Sequence, residues 1–192
     1  MKNLFASLIV LTGISAQAGI MIEPFLGYAS GKVSVTQTSG TDASSKSTGT
    51  GYGARIGYEF PMGLVLAGEY AGGSGTITYN AGGSDDKYSS TAISAIVGYS
   101  HGMFRGWAGY GFTDEVTNKM STGDIVFKGS NLKVGVGVMP IHHLSINFEY
   151  IIQKYTKLTS GGVEADVSSN YSKFDPTTML ISVSAPFEFG GK

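Results

Sequence analysis

The stretch GYGARIGYEFPMGLVLAGEYAG, residues 51–72, reads as two strands joined by a short turn around Met62. Successive side chains of a strand point to opposite faces. One parity collects Tyr52, Ala54, Ile56, Tyr58 and Phe60, then Leu64, Leu66 and Tyr70. The other holds Arg55, Glu59 and Glu69 among glycines and alanines. One face of this hairpin is bulky and uncharged, and every charge lies on the other.

The same pattern recurs along the chain in IMIEPFLGYAS (20–30), TAISAIVGYS (91–100), MFRGWAGYGF (103–112), NLKVGVGVM (131–139), LSINFEYIIQ (144–153) and TTMLISVSAPFEF (177–189). With the opening hairpin these make eight segments, whose connectors alternate long and short. The charged residues of all eight, Glu23, Arg55, Glu59, Glu69, Arg105, Lys133, Glu149 and Glu188, fall on one parity. Arg or Lys facing lipid at a bilayer midplane costs about 2–4 kcal/mol, which accounts for charge exclusion from the other face. Segments of roughly ten residues suit membrane-crossing strands. The predicted fold is all-β, an eight-stranded antiparallel up-and-down transmembrane β-barrel.

A soluble eight-stranded barrel with its apolar face inward is the structural rival. The polar face is too small and sparsely charged for a water-exposed exterior and suits a narrow, filled interior. Met21, Phe25, Ile96, Trp107, Ile151 and Leu180 share that interior parity. The aromatics form two levels. Tyr58, Phe60, Tyr99, Phe104, Phe187 and Phe189 fall near the short-turn end, and Tyr28, Tyr52, Tyr70, Tyr110, Phe112 and Tyr150 near the other. Such girdles mark the two bilayer interfaces. Pro24 and Pro186 lie in the strands that close the ring and predict a bulge or break at that seam, since proline cannot donate to a ladder.

Residues 1–18 read as a secretory signal peptide, with Lys2, an apolar run from Leu4 to Ile14 and Ala16-Gln17-Ala18 as cleavage site. Residues 19–192 then form one barrel domain. Without Lys2 the chain has 12 basic and 14 acidic side chains, so no nucleic-acid partner is implied. The absence of cysteine excludes a disulfide framework and a thiolate metal site. The 29 glycines suit crowded strands and turns.

Residues 20–189 resemble the small outer-membrane barrels typified by the OmpA transmembrane domain, OmpX and Ail, in strand number, connector alternation, girdles and the aromatic ending at Phe187 and Phe189. Family members usually finish on the terminal aromatic, whereas this chain adds Gly190-Gly191-Lys192. The resemblance implies the outer membrane of a Gram-negative bacterium, contact with its lipid and lipopolysaccharide, and recognition of the C-terminal strand by the assembly machinery. It also implies envelope structure, adhesion or resistance, or a narrow gated pore, with no cofactor.

Arg55 and Glu69 are equidistant from Met62, and Lys133 and Glu149 from Ile141, so each is expected to face its partner across a hairpin. Glu23, Glu59, Arg105 and Glu188 are expected nearer the periplasmic end. These charges are either a polar plug or a gate whose ion pairs exchange partners, and burial makes pairing the expected state. The three histidines, His101, His142 and His143, fall in short turns, leaving no imidazole base on the side where an outer-leaflet substrate would lie. No enzymatic role is therefore expected, and His142 and His143 are expected to point apart rather than hold a metal.

The long connectors, residues 36–51, 72–90, 113–129 and 154–173, are rich in Ser, Thr and Gly and read as solvated, mobile loops able to bind an extracellular protein. Thr76-Ile77-Thr78-Tyr79 suggests a protruding ribbon suited to strand addition. Asp85 and Asp86 supply too few oxygens for calcium. Lys154 and Lys157 are candidate anchors for lipopolysaccharide phosphates.

Overall fold

The computed structural model describes residues 19–40, 42–79, 85–120 and 123–190. The expected signal peptide lies outside them. Seven long strands follow in order: β1 (Gly19–Gln37), β2 (Asp42–Glu59), β3 (Leu64–Tyr79), β4 (Asp86–His101), β5 (Phe104–Met120), β6 (Gly123–Ile141) and β7 (Leu144–Ser160). A short strand β8 (Val163–Asp166) and one helical turn α1 (Val167–Asn170) precede β9 (Tyr171–Ser184) and β10 (Phe187–Phe189). Each strand from β1 to β7 pairs antiparallel with the next. β9 pairs with both β7 and β1, and β10 carries the same stave on along β1. The ring of eight staves closes with no free edge in its middle, so every backbone group there finds a partner, as a lipid environment requires.

Alternation sets the two faces. Leu26, Tyr28, Ile56, Leu66, Val136 and Ile181 are exposed outward, while Met21, Phe25, Ile96, Trp107 and Leu180 are buried inside. Among the described residues Phe25, Ala29 and Leu180, with Ala71 against them, form one apolar cluster of the interior. Much of the rest is polar, with Glu23, Arg55, Glu69, Lys133, Asn147 and Glu149 all buried. Tyr28, Tyr52, Tyr70, Tyr110 and Phe112 stand exposed at one level, with Tyr150 half-buried beside them. Tyr58, Tyr99, Phe104, Phe187 and Phe189 stand exposed toward the short turns, with Phe60 half-buried against Tyr58.

The seam at the prolines shows a break without a shift. β9 stops at Ser184 and β10 begins at Phe187, yet Phe25↔Ser184 and Ile22↔Phe187 belong to one register. The Ala185 amide donates to the Pro24 carbonyl at 3.0 Å, keeping one ladder bond across the gap. Pro186 sits beyond the last β7–β9 pair, Ser145↔Ser184, where no strand amide acceptor waits for the hydrogen it lacks. Its carbonyl instead meets the His143 ring at 2.8 Å.

The reading of the long connectors as loops is corrected. β1 to β7 run 16 to 19 residues, whereas a tilted strand crosses a bilayer in roughly 9–11. The surplus continues as paired ribbon: Val35↔Ala43 above the first hairpin, Thr48↔Thr76 between the first two, and Asn118↔Ile125 above the third. Above the membrane both faces of a strand can be wet, so polar composition no longer separates strand from loop. Backbone pairing still satisfies each amide and carbonyl.

Amide exchange tests this extension. Slow exchange is expected to continue past Tyr28 and Tyr52 to Val35 and Ser45, with rates rising only at the turn near Gly40. Exchange at the rate of an unstructured chain from Gly31 onward would contradict it.

Candidate functional site in the barrel lumen

Arg55 organises the interior. On β2 it is flanked by acids on both neighbouring strands, Glu23 on β1 and Glu69 on β3, each directly opposite it in register. Its Nε donates to Glu69 Oε2 at 2.8 Å, and its Nη2 crosses the lumen to Glu149 Oε1 on β7 at 2.6 Å. Nη1 lies 3.5 Å from Glu23 Oε1. From β5, Arg105 donates through both Nη1 and Nη2 to the two Glu23 oxygens, each at 2.9 Å, a bidentate fork. Lys133 on β6 donates to Glu69. Three cations thus meet three carboxylates in one closed network.

Side chains that the sequence reading left out complete it. Ser184 donates to Glu23 Oε1 at 2.6 Å, Asn147 donates to Ser184 at 2.8 Å, and Ser145 donates to Asn147 at 2.8 Å. They share the interior parity of Glu149 and Leu180, which was their signal. The Arg55 guanidinium also lies between the Trp107 ring, 4.6 Å from its centroid, and the Phe25 ring at 5.0 Å. Interior glycines make room for these large groups. A Cβ on Gly135 would stand 2.3 Å from Trp107 Cε2, and one on Gly109 would meet Ile96 and Lys133.

Several expectations change. The Arg55–Glu69 pair forms as read, but Lys133 does not face Glu149. The β6–β7 turn is centred on His142–His143, with Ile141 opposite Leu144, and not on Ile141; together with the bulge at Met139–Pro140 this places Lys133 opposite Ile151 and Glu149 opposite Gly135. Both side chains stay inside, two residues apart in height, and each finds its partner across the lumen. Glu188 is exposed at the short-turn mouth, and among the described residues neither it nor the buried Glu59 makes an ion pair.

The peripheral candidates change too. His142 and His143 do not point apart: a left-handed backbone at His143, φ 65°, brings the rings within 4.8 Å, and His143 stacks on Phe187. Among the described residues no group of three His, Cys, Asp or Glu could hold a metal. Lys157 is engaged by Asp166 at 3.0 Å and Glu164 at 3.6 Å. The hydrogen bond and charge of Asp166 hold the Lys157 ammonium above its ordinary pKa. Asp86 accepts from the Tyr79 hydroxyl at 2.7 Å.

Above the network the lumen opens. A cavity of about 370 Å³ extends from Lys133, Phe25 and Leu180 at its floor to Val35, Ile77 and Phe174 near its mouth. Asp114 faces this cavity and is buried, although it lies in the 113–129 connector that reads as a solvated loop. A bulge at Phe112–Thr113 is the cause. Gly111 pairs with Asn131 but Asp114 with Gly129, so parity reverses and Asp114 turns inward.

Residues 6–187 match the family described as outer membrane protein beta-barrel domain. Among solved structures, Ail, the attachment invasion locus protein of Yersinia pestis, in complex with the heparin analogue sucrose octasulfate, is similar with TM-score 0.56 at 15% identity, over 88% of this chain and 99% of that one. OprG from Pseudomonas aeruginosa gives 0.55 at 14% identity, over 91% and 98%. Neisserial surface protein A gives 0.52 at 15% identity, over 88% and 99%. At these identities the likeness is one of fold. None of the curated proteins matches the sequence.

Removing the central cation leaves three buried carboxylates to two cations, with Glu149 losing its ion-pair partner. Breaking a buried pair from one side costs about 3–5 kcal/mol, so Arg55→Ala is expected to lower barrel stability by that amount in urea titrations of the lipid-reconstituted protein. A loss under about 1 kcal/mol, the size of an exposed surface pair, would show that the network does not hold the interior.

Proposed function

The chain belongs to the outer membrane protein beta-barrel family, and on that premise we propose that it acts at the cell surface through its extended hairpins, in adhesion or resistance, as a barrel closed to flow. The continuation of paired strands well beyond the outer aromatic level carries this reading. Short turns face the periplasm in such barrels and the longer connections face outward. Ribbons of paired backbone hold their exposed edges and side chains in place, so an extracellular protein meets a preformed surface and little ordering entropy is lost on contact. Strand addition along such a ribbon is a suitable mode. Lys154, exposed just above Ile152, is placed to meet lipopolysaccharide phosphates at the rim.

The charge network supports the closed lumen. A continuous path would require the Lys133–Glu69 and Arg55–Glu149 contacts to open together, exposing opposite charges in a narrow tube. The gated pore is the second reading, favoured by the one fact that the open outer half of the lumen ends on these contacts. The histidines lie at the opposite end from that open half, which gives catalysis at the outer leaflet no imidazole base.

Two measurements test this. In planar bilayers the wild-type barrel is expected to show no sustained conductance. Removing residues 74–89 is expected to abolish binding of expressing cells to a host-cell or matrix surface that the wild type binds. Steady single-channel openings would favour the pore, and unchanged adhesion after the deletion would overturn the hairpin reading.

A further inference from the structure

We infer that the outer half of the lumen is a binding site for a small organic ammonium with an apolar body. The cavity of about 370 Å³ falls within the range of small-molecule sites, and its walls are mostly apolar. What distinguishes it is an excess of hydrogen-bond acceptors whose orientation is fixed by their neighbours.

Asp114 accepts from Asn131 Nδ2 at 2.7 Å and from the Tyr155 hydroxyl at 2.9 Å. A carboxylate only accepts, so Asn131 must present its amide nitrogen to Asp114 and its oxygen elsewhere. That oxygen is buried and has no partner among the described residues. The same logic holds four residues along β5. Tyr79 gives its proton to Asp86, so its oxygen is left to accept from Asn118 Nδ2, at 3.2 Å. The Asn118 amide oxygen is likewise buried and without a partner. Both asparagines are at least nine-tenths buried and both line the cavity.

The charge count points the same way. Arg55, Arg105 and Lys133 are spent on Glu23, Glu69 and Glu149. Asp114, 4% exposed, has no cation within ion-pair distance among the described residues. Burial holds its carboxyl above the ordinary range against the pull of its two donors and of the more distant Lys133 charge, as expected of an acid with no cation in contact.

Beside this acid the wall is aromatic. Phe127 lies 5.1 Å from Phe174 and 6.0 Å from Tyr155, and Tyr155 meets Phe174 edge-on at 6.0 Å. Aromatic faces next to a carboxylate favour an organic cation, which gains from the ring quadrupoles as well as from the charge. An ammonium brings up to three donors, enough for Asp114 and the free Asn131 oxygen, while its apolar body lies along the rings. Asn118 offers a second acceptor farther up the wall for a donor at the ligand's other end. Such binding does not depend on the hairpin surface.

The test is calorimetric titration of the full barrel in lipid nanodiscs, with empty nanodiscs as control. The probes are 2-phenylethylammonium, its neutral analogue 2-phenylethanol, and phenylacetate. The ammonium is expected to bind at least tenfold more tightly than the alcohol, and phenylacetate not at all. Asp114→Asn is expected to bring the ammonium down to the level of the alcohol. Phe174→Leu keeps the wall apolar but removes a ring face, and is expected to weaken the ammonium several-fold while leaving the alcohol nearly unchanged; it serves if Asp114→Asn fails to fold. Heat-shifted gel migration reports folding of each variant. Absence of binding, or equal affinity for ammonium and alcohol in the wild type, would overturn the proposal. So would an ammonium affinity that neither substitution changes.

Discussion

A ring of eight strands encloses a lumen so narrow that whatever lies inside must fill it, and Arg55 fills its centre as a charge nearly cut off from water. The exposure of that guanidinium is 2%. An isolated charge in such surroundings is not sustainable, so the neighbouring strands have to supply its counter-ions. Glu23 and Glu69 do so from the adjacent strands and Glu149 from across the lumen. Arg105 and Lys133 then balance the carboxylates that Arg55 shares. The network ties staves β1, β2, β3, β5, β6 and β7 together through their side chains. Backbone pairing alone links only neighbours, whereas these contacts fix distances across the ring.

Packing follows from that centre. Arg55 lies over the rings of both Trp107 and Phe25, and the glycines opposite them exist as space: Gly135 beside Trp107, Gly53 beside Phe25. Side chains too large for a uniform lumen are matched with none at all on the facing stave. Above Lys133 this matching stops and a cavity begins, so the barrel divides into a filled half toward the short turns and an open half toward the long hairpins. The filled half accounts for closure. The open half, with its aromatic wall and its unpaired Asp114, is where chemistry with a ligand is available.

The architecture was legible because a lipid-facing row tolerates no charge. That penalty acts on every stave, and it sorted Arg55, Glu69, Lys133 and Glu149 to the inside from parity alone. What parity could not show was height. The turn at His142–His143, one residue beyond the expected centre at Ile141, set Lys133 two residues away from Glu149 without changing the face of either. The bulge at Phe112–Thr113 did change a face, and hid Asp114 among residues that read as solvated. Above the membrane the sorting penalty vanishes, so residues 43–50 and 123–129 read as loops although they are strand, and only the stretch 76–79 suggested the ribbon it forms. Trp107 and Phe25 were assigned to the interior, but nothing in an alternating pattern says that two rings will bracket one guanidinium. The outer-membrane barrel family to which the chain belongs has the same frame, and in this chain charged side chains fill it.

The central claim is that cross-lumen ion pairs, and not only the closed ladder, hold the interior in one arrangement. Exchanging the partners of one contact tests it most directly, through Lys133→Glu, Glu69→Lys and the double variant, each measured for unfolding free energy in the same lipid. Each single reversal places like charges together, and the double variant restores opposite charges at the same two positions. The account predicts strongly destabilised single variants and a double variant that recovers a coupling energy of at least about 1.5 kcal/mol, within the range of interacting neighbours. Additive losses, with coupling near zero, would contradict it.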